Sequence, residues 1–400
     1  MGSCTGSSPS HRALTASESL LREFAAASDL GRSLGQAANS HRSRLRQIFE
    51  LPDDAALVLA SSGTDALYVV SALALRGSAR VHHVVVGASE LGGGTIRAAQ
   101  GVSISSVAPF GNSLLEAPLE GLAGRCSASA VYLRDDEGRC LEPEEVDRRT
   151  RLEVERVVGD HRVVLHLVAH SKTGLRAPSV ALAVELVERF GDRVHVMVDG
   201  AQGRLTPRDV RQAHELGFTV LFTGSKFYGG APFSGLLVLP PSLASDPGKL
   251  PPGLSQWFTK TDLPEHWGEA RAGLSEVGNP GLLVRWQGAL GEIEAYHAIH
   301  TRYRAGVYHA FSAAVHSAFG PSRLLLLDTK PPPEHGLVSA LGAFPSVFGF
   351  WVRSRDGLYS NRPLKKLQAL LDTDLGHQED VLSGCYHLGQ PVALGPPQVG

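Results

Sequence analysis

The 400-residue chain has no long hydrophobic run. Nothing in it approaches the roughly 18 consecutive apolar residues that a membrane-crossing helix needs. Its polar start, Met1 to Arg12, lacks the apolar centre of a secretory signal. Cysteine is scarce. The four present, Cys4, Cys126, Cys140 and Cys385, make no C-x-x-C pair, which excludes a disulfide scaffold and fits a reducing cytoplasm. Positive charge is not in excess either: 38 Lys+Arg stand against 40 Asp+Glu, which argues against a nucleic-acid partner held through its phosphates. The 17 histidines include His82-His83, His166/His170 and His297/His300, but none is spaced with cysteines as a zinc set. No metal is expected. Lysine is rare, at seven against thirty-one arginines. A lysine in an apolar, glycine-rich setting is therefore harder to read as surface decoration.

What is present is an ordinary globular balance, 43% hydrophobic and 20% charged, too apolar for a mainly disordered chain. The length allows two domains. The reading is a disordered N-terminus over 1–15, a helical segment over 16–50, a large domain over 51–290 and a smaller C-terminal α+β domain over 291–400. Within the large domain, strands and helices alternate. Strands are expected at Ala56–Ala60, Val81–Val86, Ser129–Leu133, Val163–Ala169, Val194–Val198, Val220–Phe222 and Ser234–Leu239. Helices are expected at Ala66–Leu75, from Gly93, at Val180–Phe190 and at Val210–Leu216. The strands are continuously apolar rather than alternating, as in a parallel sheet covered on both faces. The fold class is α/β: a mostly parallel, seven-stranded-type sheet between helices, with a small α+β domain after it.

Four segments follow successive strands, at the edge where open α/β sheets bind ligands. Ser61-Ser62-Gly63-Thr64-Asp65 combines a tight turn with hydroxyls and the free N–H groups of a helix start, a phosphate site; by itself it reads first as a capped helix start. It is neither a Walker A loop nor a G-x-G-x-x-G. Val198-Asp199-Gly200-Ala201-Gln202 ends a buried strand on a carboxylate, costly without a cationic partner; a capping Asp is the plainer reading. Thr223-Gly224-Ser225-Lys226 sets a lysine among glycine and apolar residues, where desolvation frees the amine for Schiff-base chemistry. His170-Ser171-Lys172-Thr173-Gly174 clusters polar groups after a strand.

In this order, with Lys226 standing 27 residues after Asp199, the set resembles the pyridoxal-phosphate enzymes of fold type I, and among them the class V aminotransferase and cysteine desulfurase-like superfamily. The resemblance runs from about Leu51 to Trp286, with echoes at Asn279–Trp286 and His387–Val392. It implies pyridoxal 5'-phosphate as cofactor and Lys226 as the catalytic Schiff-base lysine. It gives Asp199 the pyridine nitrogen, Gln202 the phenolic oxygen, and Ser62, Gly63, Thr64, Thr223 and Ser225 the phosphate end. His170 and Ser171 are further cofactor contacts; Ser171 stands where many relatives carry Asn. The implied activity is amino transfer on an amino acid or amino-bearing small molecule. The alternatives are a C–S or C–C lyase or cysteine desulfurase, and a catalytically degenerate binding protein that keeps the fold. The resemblance also implies a homodimer with the site at the interface, Asn279 or Thr261 reaching the partner's cofactor phosphate. The aromatics Trp257, Phe258 and Trp267, in the loop Pro240–Asn279, are read as an exposed contact in support of that dimer.

The chain departs from the pattern at three points. Relatives stack a ring on the cofactor after the second strand, where this chain has Ser89-Glu90-Leu91-Gly92-Gly93-Gly94-Thr95. Cys385 does not match the mobile thiol of the desulfurases. No Arg stands in the last strands to hold a substrate carboxylate, which leaves Arg362 as a candidate.

Overall fold

The computed structural model describes residues 9–112, 115–320, 322, 324–328, 346–355, 357–359, 361–371 and 392. Two helices open the chain, α1 (His11–Ala26) and α2 (Leu30–Ile48). Ser10 caps α1, its hydroxyl accepting the Ala13 N–H at 3.0 Å. The helix thus begins inside the stretch 1–15 expected to be disordered, because a serine cap satisfies an N–H that composition alone cannot place. Leu20 and Phe24 of α1 are buried, while Leu21 faces outward.

There follow β1 (Leu57–Ala60), α3 (Gly63–Ala74), β2 (Val81–Val86), α4 (Thr95–Ala99), the short strands β3 (Val107–Ala108) and β4 (Gly111–Asn112), β5 (Cys126–Val131), α5 (Pro143–Val157), β6 (Arg162–Val168), α6 (Val180–Phe190), β7 (Val194–Gly200), α7 (Pro207–Glu215), β8 (Thr219–Thr223) and β9 (Gly235–Val238). After α8 (Gly268–Ala272) come the long helices α9 (Pro280–Ala298) and α10 (Thr301–Phe319). Strands β10 (Leu325–Leu327), β11 (Phe350–Ser354) and β12 (Gly357–Leu358) form a three-stranded antiparallel sheet, followed by α11 (Asn361–Leu371). Helix α9 runs unbroken through residue 290, where the domain boundary was expected. Helix α5 was absent from the sequence reading. Its Glu/Arg-rich stretch carries only a thin apolar stripe, Val146, Val154 and Val157.

Seven strands form the main sheet, in the order β1-β9-β8-β7-β6-β2-β5. Strands β8, β7, β6, β2 and β5 pair in parallel; β9 is antiparallel to both its neighbours. Each face has its own core. On one, alternate strand residues such as Leu57, Leu165, Val198 and Phe222 pack under α2, α5, α6 and α9, with contributions from Leu34, Val154, Leu186 and Trp286. On the other, Val58, Val164, Met197 and Leu221 pack against α3 and the loop before α9.

That loop corrects one expectation. Trp257, Phe258 and Trp267 are buried within their own chain. Trp257 stacks obliquely on Tyr68 of α3, with ring centroids 5.1 Å apart. The Trp267 indole donates to the Ala244 carbonyl at 2.8 Å. The loop covers a sheet face that has few helices on it, so its aromatics are core and give no support to an interface.

Candidate active site

The carboxyl ends of β1, β2, β6, β7 and β8 converge on a cavity of about 420 Å3. Ser61, Ser62, Gly63 and Thr64 enter it from the β1–α3 turn, and Glu90, Leu91, Gly92 and Gly93 from the segment after β2. His170 and Lys172 follow β6, Asp199 and Gln202 belong to the end of β7, and Thr223, Ser225 and Lys226 follow β8. The cavity therefore brings together nine of the ten site residues expected from sequence; Ser171 does not line it. Five loops separated by up to 165 residues (Ser61 to Lys226) meet because parallel strands all discharge at one edge.

The β1–α3 turn is a helix start with its first N–H groups unused by the helical ladder. The Ser62 hydroxyl accepts the Asp65 N–H at 3.1 Å, which leaves the Gly63 and Thr64 amides at the open end. A side chain at Gly63 would bring its Cβ to 2.8 Å from Leu221. Beneath the turn, a Cβ at Gly235 would approach the Ser62 carbonyl carbon to 2.8 Å. Both glycines let the turn sit down on the sheet.

Asp199 is buried at the end of β7, and one carboxylate oxygen accepts the Ala201 N–H at 3.0 Å. Burial raises its pKa; the Ala201 bond and the nearby Lys226 charge pull it back. Gln202 accepts a bond from Arg204 at 3.0 Å through its side-chain oxygen. The Thr223 hydroxyl donates to the Ala201 carbonyl at 2.7 Å, tying β8 to the Asp199 loop. At the mouth stands Phe233, 57% exposed and with φ of +70°. The Arg285 guanidinium lies 5.8 Å from its ring centroid.

Sequence reasoning missed the group that organises the far side of the site. Glu90, fully buried, accepts Arg134 Nε at 2.7 Å on one oxygen. On the other it accepts the Ser171 hydroxyl at 2.6 Å and the Thr173 hydroxyl. Arg134 turns its remaining donors to the Gly138 carbonyl at 2.9 Å and to both oxygens of Asp328, at 2.7 and 3.1 Å. Burial would lower the guanidinium pKa, but its bonds to Asp328 and Glu90 more than reverse this. Ser171 is thus a strut for Glu90. No local spacing announces a cluster whose members lie 44 and 194 residues apart.

The other expectations fall as follows. In place of a stacking ring, the segment after β2 presents Leu91, which packs with Val85, Ala99 and Val168. Arg362 is exposed on α11 and is not part of the cavity wall. Asn279 caps its own helix, accepting the Leu282 N–H at 3.0 Å, and Thr261 bonds Thr259 at 3.0 Å. Cys126 is buried at the start of edge strand β5, its thiol pushed up to about 11 chiefly by burial. Cys385 and, of the His387–Val392 echo, all but Val392 lie outside the described residues. Among the described residues no helix is long and apolar enough to cross a membrane, and no cluster of His, Cys, Asp or Glu is arranged to hold a metal.

No protein family profile matches the chain, and no curated protein is significantly similar to it. Solved structures do match. The cysteine desulfurase CsdA from Escherichia coli superposes with a TM-score of 0.56 at 17% identity, over 91% of this chain and 80% of that one. The cystine C–S lyase C-DES, in complex with its reaction product cysteine persulfide, gives 0.60 at 13% identity, over 90% and 85%. A serine palmitoyltransferase from S. paucimobilis with a bound PLP–myriocin aldimine gives 0.51 at 13%, over 88% and 73%. The likeness shows the fold: this chain is built as the fold type I pyridoxal-phosphate enzymes are.

Proposed function

We propose that the chain is a pyridoxal 5'-phosphate-dependent enzyme acting on an amino acid or amino-bearing small molecule. The observation that carries this reading is one cavity lined at once by Lys226, by the buried Asp199 and by the hydroxyl-rich N-terminus of α3. The donor set fits the cofactor's three polar ends. Gly63 and Thr64 amides with the Thr64 and Ser225 hydroxyls suit a phosphate, Asp199 a protonated ring nitrogen, and Lys226 an aldehyde. When bound, pyridoxal phosphate supplies an electron sink for the substrate Cα. The chain's own residues hold and orient. Asp199, costly to bury as an anion, gains a further countercharge from the protonated ring nitrogen. Lys226 Nζ is the base that takes and returns the proton at Cα. Leu91 and its apolar neighbours keep water from that wall.

Amino-group transfer is the reading put first, since a strand-end carboxylate that keeps the ring nitrogen protonated favours full electron withdrawal. Cleavage of a C–S bond is the second reading, favoured by the fold neighbours CsdA and C-DES. Neither Cys126 nor Cys140 lines the cavity, so a desulfurase would need its thiol from elsewhere. Lys226→Ala is expected to abolish the near-visible absorbance of the reconstituted protein and all turnover across an amino-acid panel. Retention of both would remove the assignment. Association as a homodimer with a shared site belongs to the same reading; a fully active monomer on dilution, followed by light scattering, would exclude it.

A further inference from the structure

Gln202 lines the cavity, and the side chain that holds it, Arg204, stands outside the set expected from sequence. The backbone between them is fixed first. Gly203 has φ of +73°, and its N–H donates to the Gly200 carbonyl at 2.8 Å. A Cβ at Gly203 would come to 2.9 Å from the Thr223 carbonyl oxygen, so the turn lies directly on the end of β8. Arg204 then folds back over this turn. Its Nη1 donates to Gln202 Oε1 at 3.0 Å and reaches the Gln202 carbonyl at 3.4 Å. Its Nε donates to the Ser346 hydroxyl at 2.9 Å, shortly before β11. The guanidinium lies 5.4 Å from the ring centroid of Phe227, the residue after Lys226. Gln202, Ser346 and Phe227 thus hold one cation in place.

A guanidinium carries donors and no acceptor. The end of the Gln202 amide turned to Arg204 is therefore its oxygen, and Nε2 is the end left for the cavity. Among the described residues no hydrogen bond engages that Nε2. A carbonyl that accepts from a full positive charge is polarised, which strengthens the N–H donors of the same amide.

We propose, resting on the pyridoxal-phosphate reading, that Arg204 is a positioning residue. It locks the Gln202 amide with its NH2 toward the cavity, so that this wall donates to an anionic oxygen, the phenolic one of the cofactor. Arg204 is not itself part of the cavity wall and acts through Gln202.

The test titrates the cofactor-free full chain by calorimetry with pyridoxal phosphate and with 3-deoxypyridoxal phosphate, which lacks the phenolic oxygen. Arg204→Gln should weaken pyridoxal phosphate about tenfold, the low end for a hydrogen bond to a charged group, and leave the deoxy analogue unchanged. Gln202→Glu keeps a partner for Arg204 but removes the donor, and should show the same selective loss. Gln202→Met should show it too, and Arg204→Gln added to Gln202→Met should cost pyridoxal phosphate nothing more. Unchanged affinity in Arg204→Gln overturns the proposal, as does equal weakening of both ligands. Additive losses in the Arg204/Gln202 pair overturn it as well, because Arg204 then acts by another route. So does an Arg204→Gln chain too unstable to titrate, which makes the guanidinium a tie of the fold. A wild-type chain that takes up neither ligand removes the parent reading, an outcome distinct from uptake that no Arg204 variant alters.

Discussion

Phe233 holds a backbone conformation that bulky side chains avoid, with φ of +70°, while exposing 57% of its surface at the cavity mouth. The left-handed conformation costs an L-residue roughly 1–2 kcal/mol. Glycine relieves that cost, forfeits a partly exposed cation–π contact with Arg285 worth about 0.5–1 kcal/mol, and adds a chain-entropy cost of about 0.5–1 kcal/mol. These nearly cancel. Phe233→Gly should therefore leave stability within about 1 kcal/mol of wild type, whereas Phe222→Ala, in the core, should cost about 3–5 kcal/mol. Urea unfolding of both variants decides; a large loss at position 233 would show that the ring packs rather than strains. Asp199 and Lys226 were legible in the sequence because each breaks a local rule, a charge in an otherwise apolar setting. Glu90 was quoted in the sequence only as part of a glycine-rich gap, and Arg134 not at all, since a single Glu and a single Arg in loops signal nothing until the fold joins them.

Among the elements, the link from the segment after β2 to the three-stranded sheet runs through Arg134. Its side chain is 1% exposed, against 0% for Glu90 and 8% for Asp328. One cation thus serves two buried carboxylates on elements distant in sequence. Removing it leaves both without their guanidinium partner, which typically costs about 3–5 kcal/mol. Arg134→Met should lower the unfolding free energy, read from urea titration, by that order, and Glu90→Gln added to it should recover part, because one of the two buried charges is then gone. Additive losses in the double-mutant cycle would show that the pair does not act as a unit. The same cluster holds the loop of Lys172, so Arg134→Met should also loosen the site.

At the scale of the molecule, buried rings set the response to acid. Burial is the first cause of lowered pKa values at His41 and His195, each to about 4, and at His166, to about 3, and it holds His83 well below its ordinary value. His83 and His166 bond each other at 2.9 Å between β2 and β6, and Ser71 of α3 bonds His83 at 2.9 Å. Unfolded, these rings take a proton near pH 6.5; folded, they remain neutral to much lower pH. Below about 6.5 the unfolded chain thus binds more protons, and stability falls as pH drops, by about 1.4 kcal/mol per unit for each ring. Asp65 and Asp262 oppose this. Burial raises them to about 6 and about 7 from 3.8, so below those values the folded chain holds the extra protons. Asp199 is raised as well, but His82 and His297, each lowered to about 4 chiefly by burial, act with the four rings; six rings outweigh three carboxyls, and stability should decline below about pH 6. Urea midpoints between pH 7 and 4.5 measure it. The double variant His83→Leu/His166→Leu should flatten the acid limb, and an unchanged slope would show that these rings do not titrate on unfolding.

Local chemistry was enough to determine much of this protein. Val81–Val86 and Val180–Phe190 could be bounded to the residue, because turn and cap residues close them off, Gly87 after the strand and Ser179 and Gly191 around the helix. The β1–α3 turn, Asp199 and Lys226 were marked as one site before any fold, since strand ends of a parallel sheet meet at one edge. Tertiary structure decided the rest. A serine cap, not composition, starts α1 at His11. Trp257, Phe258 and Trp267 are core because a sheet face needs a cover, a demand invisible along the chain. Ser171 supports Glu90 instead of lining the cavity, and Lys172 lines it instead. Each of these depends on contacts between distant segments, and periodicity and turn chemistry act only over a few residues.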